Sequence, residues 1–462
     1  MKGGAGMAEA VLPADGAAPT NGAVSGAVNG GHGDGHDDGA EHLEVELAYG
    51  AVAVGGRPSP LTAADVAATR RPTAAASTLP RAAYHDPAIL AYELESWYAD
   101  GWVCVGREED IPLSGSYLLV KLCGEDLIVV RDKDLTVRGF FNFCRHRGST
   151  LLEEPTGRVP RIQCPYHAWV YGLDGKLSQP RHTELLEGFD LDEYGLVPVA
   201  LDTWQGFVFV NISGEAGPLA ASLGDMPDYF GRYDLAGLRR AAVIDYDVKA
   251  NWKAIVENYS ECYHCPGVHP QLNKITPYNL GDWIPTDGPW SASWMPVVGE
   301  HDTLTLDGQL HGRALLAGTT EEDLKKIYYF VVWPNLLISL HPDYLMTHRI
   351  VPVAPDRSLI ACEWFFEAES MADPGFDPSD AIGFWDLTNR QDWAVCELQQ
   401  AGTASRAYTP GRYTGMESGP HKFDVHVADR YANDGVLTPL NRISKAEGSG
   451  GLASRAKMAV RG

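Results

Sequence analysis

Asn142-Phe143-Cys144-Arg145-His146-Arg147-Gly148 and Cys164-Pro165-Tyr166-His167-Ala168-Trp169 decide how this 462-residue chain is read. Two cysteines and two histidines arrive as C-x-H and C-x2-H, so each short segment supplies one sulfur and one nitrogen. A structural zinc site could use the same four ligands, but its usual pattern pairs Cys with Cys and His with His. Two facing loops of mixed type suit two irons better, one held by both thiolates and the other by both imidazoles. That asymmetric [2Fe–2S] ligation raises the potential above that of all-cysteine clusters. On either side the chain alternates in short β-branched runs at 117–122, 127–131 and 137–142. Turn formers such as Cys123-Gly124-Glu125-Asp126 and Asp132-Lys133-Asp134 separate them, which predicts a small antiparallel domain ending near 204–212.

About a hundred residues on stands Asn251-Trp252-Lys253-Ala254-Ile255-Val256-Glu257-Asn258-Tyr259-Ser260-Glu261-Cys262-Tyr263-His264-Cys265-Pro266-Gly267-Val268-His269-Pro270. An undisturbed helix rotates His264 and His269 apart by about 140°. Pro266 and Gly267 are expected to end or unwind the helix between them, letting His269 fold back beside His264. Two histidines satisfied in a core are the bland alternative. Two histidines and one carboxylate with open positions are the usual ligands of a non-haem Fe(II) oxygenase. The carboxylate is sought on a helix predicted over 380–400, capped by Ser379 or Asp380, which carries Asp386, Asp392 and Glu397.

Charge and composition narrow the remaining classes. Lys and Arg total 37 and Asp and Glu 61, a net charge of −24. Such a field repels nucleic acid and anionic membranes. No run of about 18 apolar residues and no basic-then-apolar leader is seen, so a soluble, cytoplasmic protein with no membrane partner is expected. Eight cysteines are sparse for this length, and in a reducing compartment those near histidines suggest metal ligands before disulfides. Residues 1–78 are rich in Ala, Gly and Asp, and are expected to form a disordered tail; His32, His36 and His42 within it are candidates only for stray metal. A short amphipathic helix is predicted over 88–102. Strands at 242–248, 328–333, 336–340 and 360–367, mixed with helices, predict a larger second domain, and the last twenty or so residues a loose tail.

The quoted segments, together with Asn389-Arg390-Gln391-Asp392-Trp393, resemble the Rieske non-haem iron oxygenases, specifically their catalytic α subunit, over roughly residues 80–430. Respiratory Rieske proteins differ, with extra cysteines where this chain has Ser149 and Tyr166. The resemblance implies an α+β protein: a disordered tail at 1–78, an antiparallel β Rieske domain at 79–212, and a helix-grip (START-like) catalytic domain with a central antiparallel sheet at 213–440. A flexible C-terminal tail covers 441–462. It also implies a [2Fe–2S] cluster on Cys144, His146, Cys164 and His167, and a mononuclear Fe(II) on His264, His269 and Asp392. Subunits of this kind form head-to-tail homotrimers, in which one cluster feeds the neighbouring iron through a bridging carboxylate. Glu261 stands at that position, where most members carry Asp. The chain has no dinucleotide fingerprint, so NAD(P)H electrons are expected to arrive through a separate flavin and iron–sulfur reductase.

For the substrate, Glu261-Cys262-Tyr263-His264-Cys265 and Gly411-Arg412-Tyr413-Thr414-Gly415-Met416-Glu417 are similar to the glycine-betaine, carnitine and stachydrine oxygenases. This implies O2-dependent hydroxylation and N-demethylation of a quaternary ammonium compound, with Trp283, Trp290, Trp294, Trp333, Tyr344 and Trp364 as candidate cation–π surfaces. The alternative is the α subunit of an aromatic-ring-hydroxylating dioxygenase. Two other classes compete: an electron carrier whose second domain is only structural, and a zinc-stabilised binding module.

Overall fold

The computed structural model describes residues 57–434, apart from 285 and 287–289, together with the two-residue strands Glu46–Leu47 and Gly50–Ala51. His32, His36, His42 and the C-terminal tail lie outside the described residues.

The later half is built on a seven-stranded antiparallel sheet in the order Arg239–Val248, Arg357–Phe366, Leu345–Ala354, Leu336–Leu340, Lys326–Val332, Trp290–Pro296 and Asp282–Ile284. Four of these strands are anticipated by the sequence, and three are not. Leu345–Ala354 lies inside the sheet with most of its length buried, so it lacks the alternation of a half-exposed strand. Trp290–Pro296 spends Ser, Ala and Pro on a strand, all poor markers of one. Four helices carry the later argument: α1 (Pro87–Glu93), α2 (Trp252–Tyr259), α3 (Ser379–Thr403) and α4 (Ser418–Ala432). The last three share one apolar core with the sheet through Trp252, Ile255, Phe384, Trp393, Phe423 and Val427.

The segment before Pro80 corrects the expected tail. Leu61, Val66, Ala76 and Leu79 are buried, and Arg70 pairs with Asp429 of α4 at 2.6 Å. Apolar residues this sparse give no periodic signal; they are ordered by a surface contributed from the far end of the chain. α1 begins at an Asp86 cap, whose side chain accepts from Ala88 N–H, with Pro87 at the first helical turn. At its end Glu93 is wholly buried. It pairs with Lys253 at 2.6 Å and accepts from Trp252 Nε1 at 2.7 Å and from Tyr431. Removing one partner would strand a buried charge, a loss of about 3–5 kcal/mol. The pair therefore fixes where α2 starts.

Between these parts lie three small antiparallel sheets. One runs Val137–Phe141, Glu125–Arg131, Ser116–Leu122, Thr156–Arg158; another Leu177–Gln179, Val170–Tyr171, Ile162–Gln163; the third Ala200–Trp204, Phe207–Asn211, Val103–Arg107. The first two enclose their own core of Tyr117, Ile128, Phe140, Ile162, Trp169 and Tyr171. The third is tied to the large sheet: Asn335 accepts from Cys104 N–H at 3.0 Å and donates to its carbonyl at 2.9 Å. Arg349 donates to Val105 O at 2.8 Å while paired with Glu363. Among the described residues, no helix is long and apolar enough to cross a membrane.

Candidate metal centres and the catalytic cavity

The first two small sheets present Cys144 and His146 on one loop and Cys164 and His167 on another. The cysteines are buried, at 1% and 2% exposure, while His146 is exposed and His167 half-buried. The imidazole rings stand 4.8 Å apart, and Trp169 stacks on His146 at 4.8 Å. Backbone closure of each loop aims amides at the sulfurs. Burial alone disfavours the Cys164 thiolate, but N–H groups of His167 and Tyr166 outweigh it and lower the pKa; burial pushes the Cys144 thiol up. Burial and the neighbouring His167 and Arg147 hold the His146 pKa down, keeping that ring neutral, as a ligand must be. Tyr171 Oη lies 3.2 Å from Cys144 Sγ and accepts from Arg145 N–H at 3.0 Å, which leaves its proton for the sulfur. Nδ1 of His167 is buried without a hydrogen-bond partner, an orphan that a metal would satisfy. The donor set and this orphan fit a cluster held by two sulfurs and two nitrogens.

The second constellation forms differently from the expected helix break. α2 ends at Tyr259, well before His264, and Pro266 sits in the first turn of a short helix, Cys265–Val268, instead of ending one. His269, at φ −125° and ψ 66°, joins that helix to Pro270–Ile275. This bend, not a break at Pro266, brings the two imidazole rings to 5.1 Å. α3 supplies Asp392, although it starts at Ser379 after Pro378, with neither Ser379 nor Asp380 as its cap. Asp392 Oδ1 lies 2.7 Å from His269 Nε2 and 3.2 Å from His264 Nε2, and the three donor atoms fall within 4.8 Å of one another. The geometry agrees with the resemblance in separating Asp392 from its helical neighbours. Asp386 is taken by Tyr246 and Arg390, and Glu397 accepts from Lys249 N–H at 3.0 Å.

Outer contacts orient both rings. Glu261 accepts from His264 Nδ1 at 2.5 Å and from its backbone N–H at 3.2 Å. Gln391 Oε1 accepts from His269 Nδ1 at 2.8 Å and from Gln271 at 2.7 Å. Both Nε2 atoms therefore turn toward Asp392, as a carboxylate–histidine–metal arrangement requires. Burial disfavours a charged His264, yet hydrogen bonds to Asp392 and Glu261 overcome this and raise its pKa to about 10. Burial disfavours the Asp392 carboxylate, but hydrogen bonds from His264 and His269 outweigh it and hold the pKa below its ordinary value. The site is thus built for positive charge, and its donors fit one ion of the two-histidine, one-carboxylate kind.

A cavity opens on this triad. Its walls include Tyr259, Tyr278, Trp283, Trp294, Tyr329, Trp385 and Met416, with Glu261, Asp282 and Asp392 as its carboxylates. Of the six aromatics singled out from sequence, only Trp283 and Trp294 line it. Trp290, Tyr344 and Trp364 are core, and Trp333 stacks on His426 at 3.8 Å. Tyr259, Tyr329 and Trp385 were missed because they come from three separate elements. Against the expectation that cysteines near histidines are metal ligands before disulfides, Cys262 and Cys265 are joined in a disulfide beside the triad.

Residues 101–190 match the Rieske [2Fe-2S] domain family, and residues 235–433 match the ring hydroxylating alpha subunit (catalytic domain) family. The chain is 31% identical over 365 residues to the glycine betaine monooxygenase oxygenase subunit of Chromohalobacter salexigens, spanning 73% of this chain and 82% of that one. This chain belongs to the Rieske oxygenases. It is likewise 31% identical over 358 residues to the carnitine monooxygenase oxygenase subunit of Escherichia coli, spanning 74% and 88%. The crystal structure of a quaternary ammonium Rieske monooxygenase in complex with L-carnitine is similar at a TM-score of 0.67 and 26% identity, covering 80% of this chain and 99% of that chain. Naphthalene 1,2-dioxygenase from Rhodococcus, at 20% identity and a TM-score of 0.61, shares the fold. As a Rieske oxygenase α subunit, the chain uses a [2Fe–2S] cluster and a non-haem iron, and depends on a reductase for electrons.

Proposed function

We propose that this chain is the oxygenase subunit of a monooxygenase that demethylates a quaternary ammonium compound. In this reading Cys144, His146, Cys164 and His167 hold the cluster, and His264, His269 and Asp392 hold the iron. One observation carries the substrate class: the cavity over the triad has aromatic walls and three carboxylates, with no Lys or Arg among its described lining residues. A permanent cation gains about 0.5–2 kcal/mol from each ring face it meets and is further favoured by Asp282, the lining carboxylate that is not assigned to the iron or to His264. A neutral arene gains only from the rings, so the ring-hydroxylating alternative is the weaker one. The relatives named for glycine betaine and carnitine point the same way.

When bound, the cluster supplies single electrons and the ferrous ion supplies activation of O2. The chain's residues do the rest. Gln391 and Glu261 hold the Nδ1 protons, so that both Nε2 atoms face the position of the ion, which would displace the proton that His264 carries without it. The aromatic walls exclude water and turn an N-methyl group toward the triad. Hydroxylation of that methyl gives a hemiaminal, which loses formaldehyde and leaves the tertiary amine.

Electron delivery in this reading crosses between subunits of a homotrimer. The imidazole edge of the cluster loops is exposed in the single chain, with Tyr166 57% exposed beside it, which suits docking of a second subunit. Glu261, already on His264 Nδ1, would reach the incoming subunit's cluster histidine. A separate flavin and iron–sulfur reductase supplies the electrons, and the location is cytoplasmic. Turnover with NADH, O2 and a surrogate reductase tests the substrate. Formaldehyde and a tertiary amine from an alkylammonium panel are expected. A cis-diol or phenol from arenes, with no product from any ammonium compound, overturns the reading.

A further inference from the structure

The disulfide between Cys262 and Cys265 encloses Tyr263 and His264. Both cysteines line the catalytic cavity, and Cys265 is 2% exposed. Its Sγ lies 3.9 Å from His264 Nε2, the nitrogen that faces Asp392 at 3.2 Å. The two Cα atoms are 4.9 Å apart, and Cys265 N–H donates to Cys262 O at 3.1 Å. That separation lies within the range a disulfide spans without backbone movement. The pair can therefore open and close in place.

We propose that Cys262–Cys265 is a thiol–disulfide site whose state decides which metal the triad accepts. The proposal rests on the assignment of His264, His269 and Asp392 as iron ligands. Oxidised, the sulfurs are tied to each other and the donors are two imidazoles and a carboxylate, the set that suits Fe(II) with open positions. Reduced, Cys265 brings a thiolate beside the same nitrogen. Freed from Cys262 and turned toward the ion, that sulfur would complete with two nitrogens and an oxygen a four-donor set of the kind that suits Zn2+ and leaves no open face. Opening takes a small dithiol: its thiolate attacks one sulfur, the Cys262–Cys265 bond breaks, and the second thiol closes the reductant's own disulfide. Two electrons and two protons remain on the cysteines. Closing takes hydrogen peroxide: one thiolate attacks its oxygen and expels water, giving a sulfenic acid, and the other thiol displaces a second water as the disulfide forms.

The test uses cluster-loaded protein stripped of its mononuclear metal, with the cluster's visible spectrum as a check on the fold. After peroxide treatment, Cys262 and Cys265 should escape alkylation and become labelled only after reduction. Competition with a chromophoric chelator should show Zn2+ bound at least about tenfold more tightly by the reduced form. Cys262→Ser keeps the Cys265 thiol and should bind Zn2+ tightly without reductant; Cys265→Ser should stay weak in both conditions. Labelling of both cysteines without reductant, or equal Zn2+ affinity in the two states of the wild-type protein, overturns the proposal, and neither depends on a variant folding. If the oxidised protein binds Fe(II) while reduction leaves its Zn2+ affinity unchanged, only the switch fails. If neither metal binds in either state, the triad assignment fails.

Discussion

Gln391 accepts the Nδ1 proton of His269 at 2.8 Å, and so decides which nitrogen of that ring faces Asp392. The two acceptors are consecutive on α3, one reaching each nitrogen of the same imidazole. Gln391→Leu keeps the approximate volume and removes the acceptor. A loss of about 10–100-fold in affinity for the mononuclear metal is expected, read by Fe(II) or Co(II) titration, with the cluster's spectrum unchanged.

Asp392→Ala and Cys164→Ser should separate the two metals. The first removes the carboxylate that both imidazoles face, so iron content should fall by one per chain, turnover should vanish and the visible colour should persist. The second should bleach the colour. Metal and sulfide analysis of both variants checks this, and loss of colour in Asp392→Ala would count against two independent sites.

Tyr171→Phe removes the hydroxyl 3.2 Å from Cys144 Sγ. Hydrogen bonds to a cluster's sulfurs stabilise its more negative, reduced form. One such bond is worth about 1 kcal/mol, or about 40 mV for one electron. Redox titration of the variant should find a potential lower by roughly that amount.

Glu261→Gln preserves an oxygen to accept from His264 Nδ1 but discards the charge. Both metals should remain bound while electron arrival at the iron slows in single-turnover experiments on the reduced enzyme. A rate equal to wild type would remove the residue from the electron route.

A buried acid pair sets the response to pH. Glu257 of α2 lies against Asp424 of α4, with Tyr84, Gln399, Tyr413 and Lys253 around them. Burial raises both carboxyl pKa values, and that of Asp424 is raised further by the Glu257 charge. The folded pair therefore retains a proton that the unfolded chain releases at neutral pH. Stability from a raised pKa is complete below the ordinary carboxyl range and is lost as pH climbs through the folded value, at about 1.4 kcal/mol per pH unit for one proton. Thermal melts from pH 5 to 9 should show this alkaline decline, and Asp424→Asn should flatten it.

The cysteine and histidine clusters were legible because they fall in short stretches (two for the first site, one for the two histidines of the second) whose residue types are costly to explain otherwise, and Asp392 only through the resemblance. Their supports were not. Gln391 gains meaning only when α3 meets His269, 122 positions away in sequence, and Tyr259, Tyr329 and Trp385 converge from a helix end, a strand and another helix. The segment holding Leu61 and Val66 resembles its low-complexity neighbours until α4 supplies the surface it covers. The Cys262–Cys265 bond ran against a compartment argument, which speaks of the cell's average redox state and says nothing of two sulfurs held within one turn.

Glu93 and Lys253, sealed together and approached by Tyr431, have a consequence for biosynthesis. On the ribosome, the cluster-bearing sheets can close as soon as residue 196 has emerged, because the core they enclose needs nothing later. The stretch that precedes them must wait, since its partners lie on α2 and α4. A chain cut short before α2 would display α1's apolar face and an unpaired carboxylate, which sets an unfinished copy apart from a finished one.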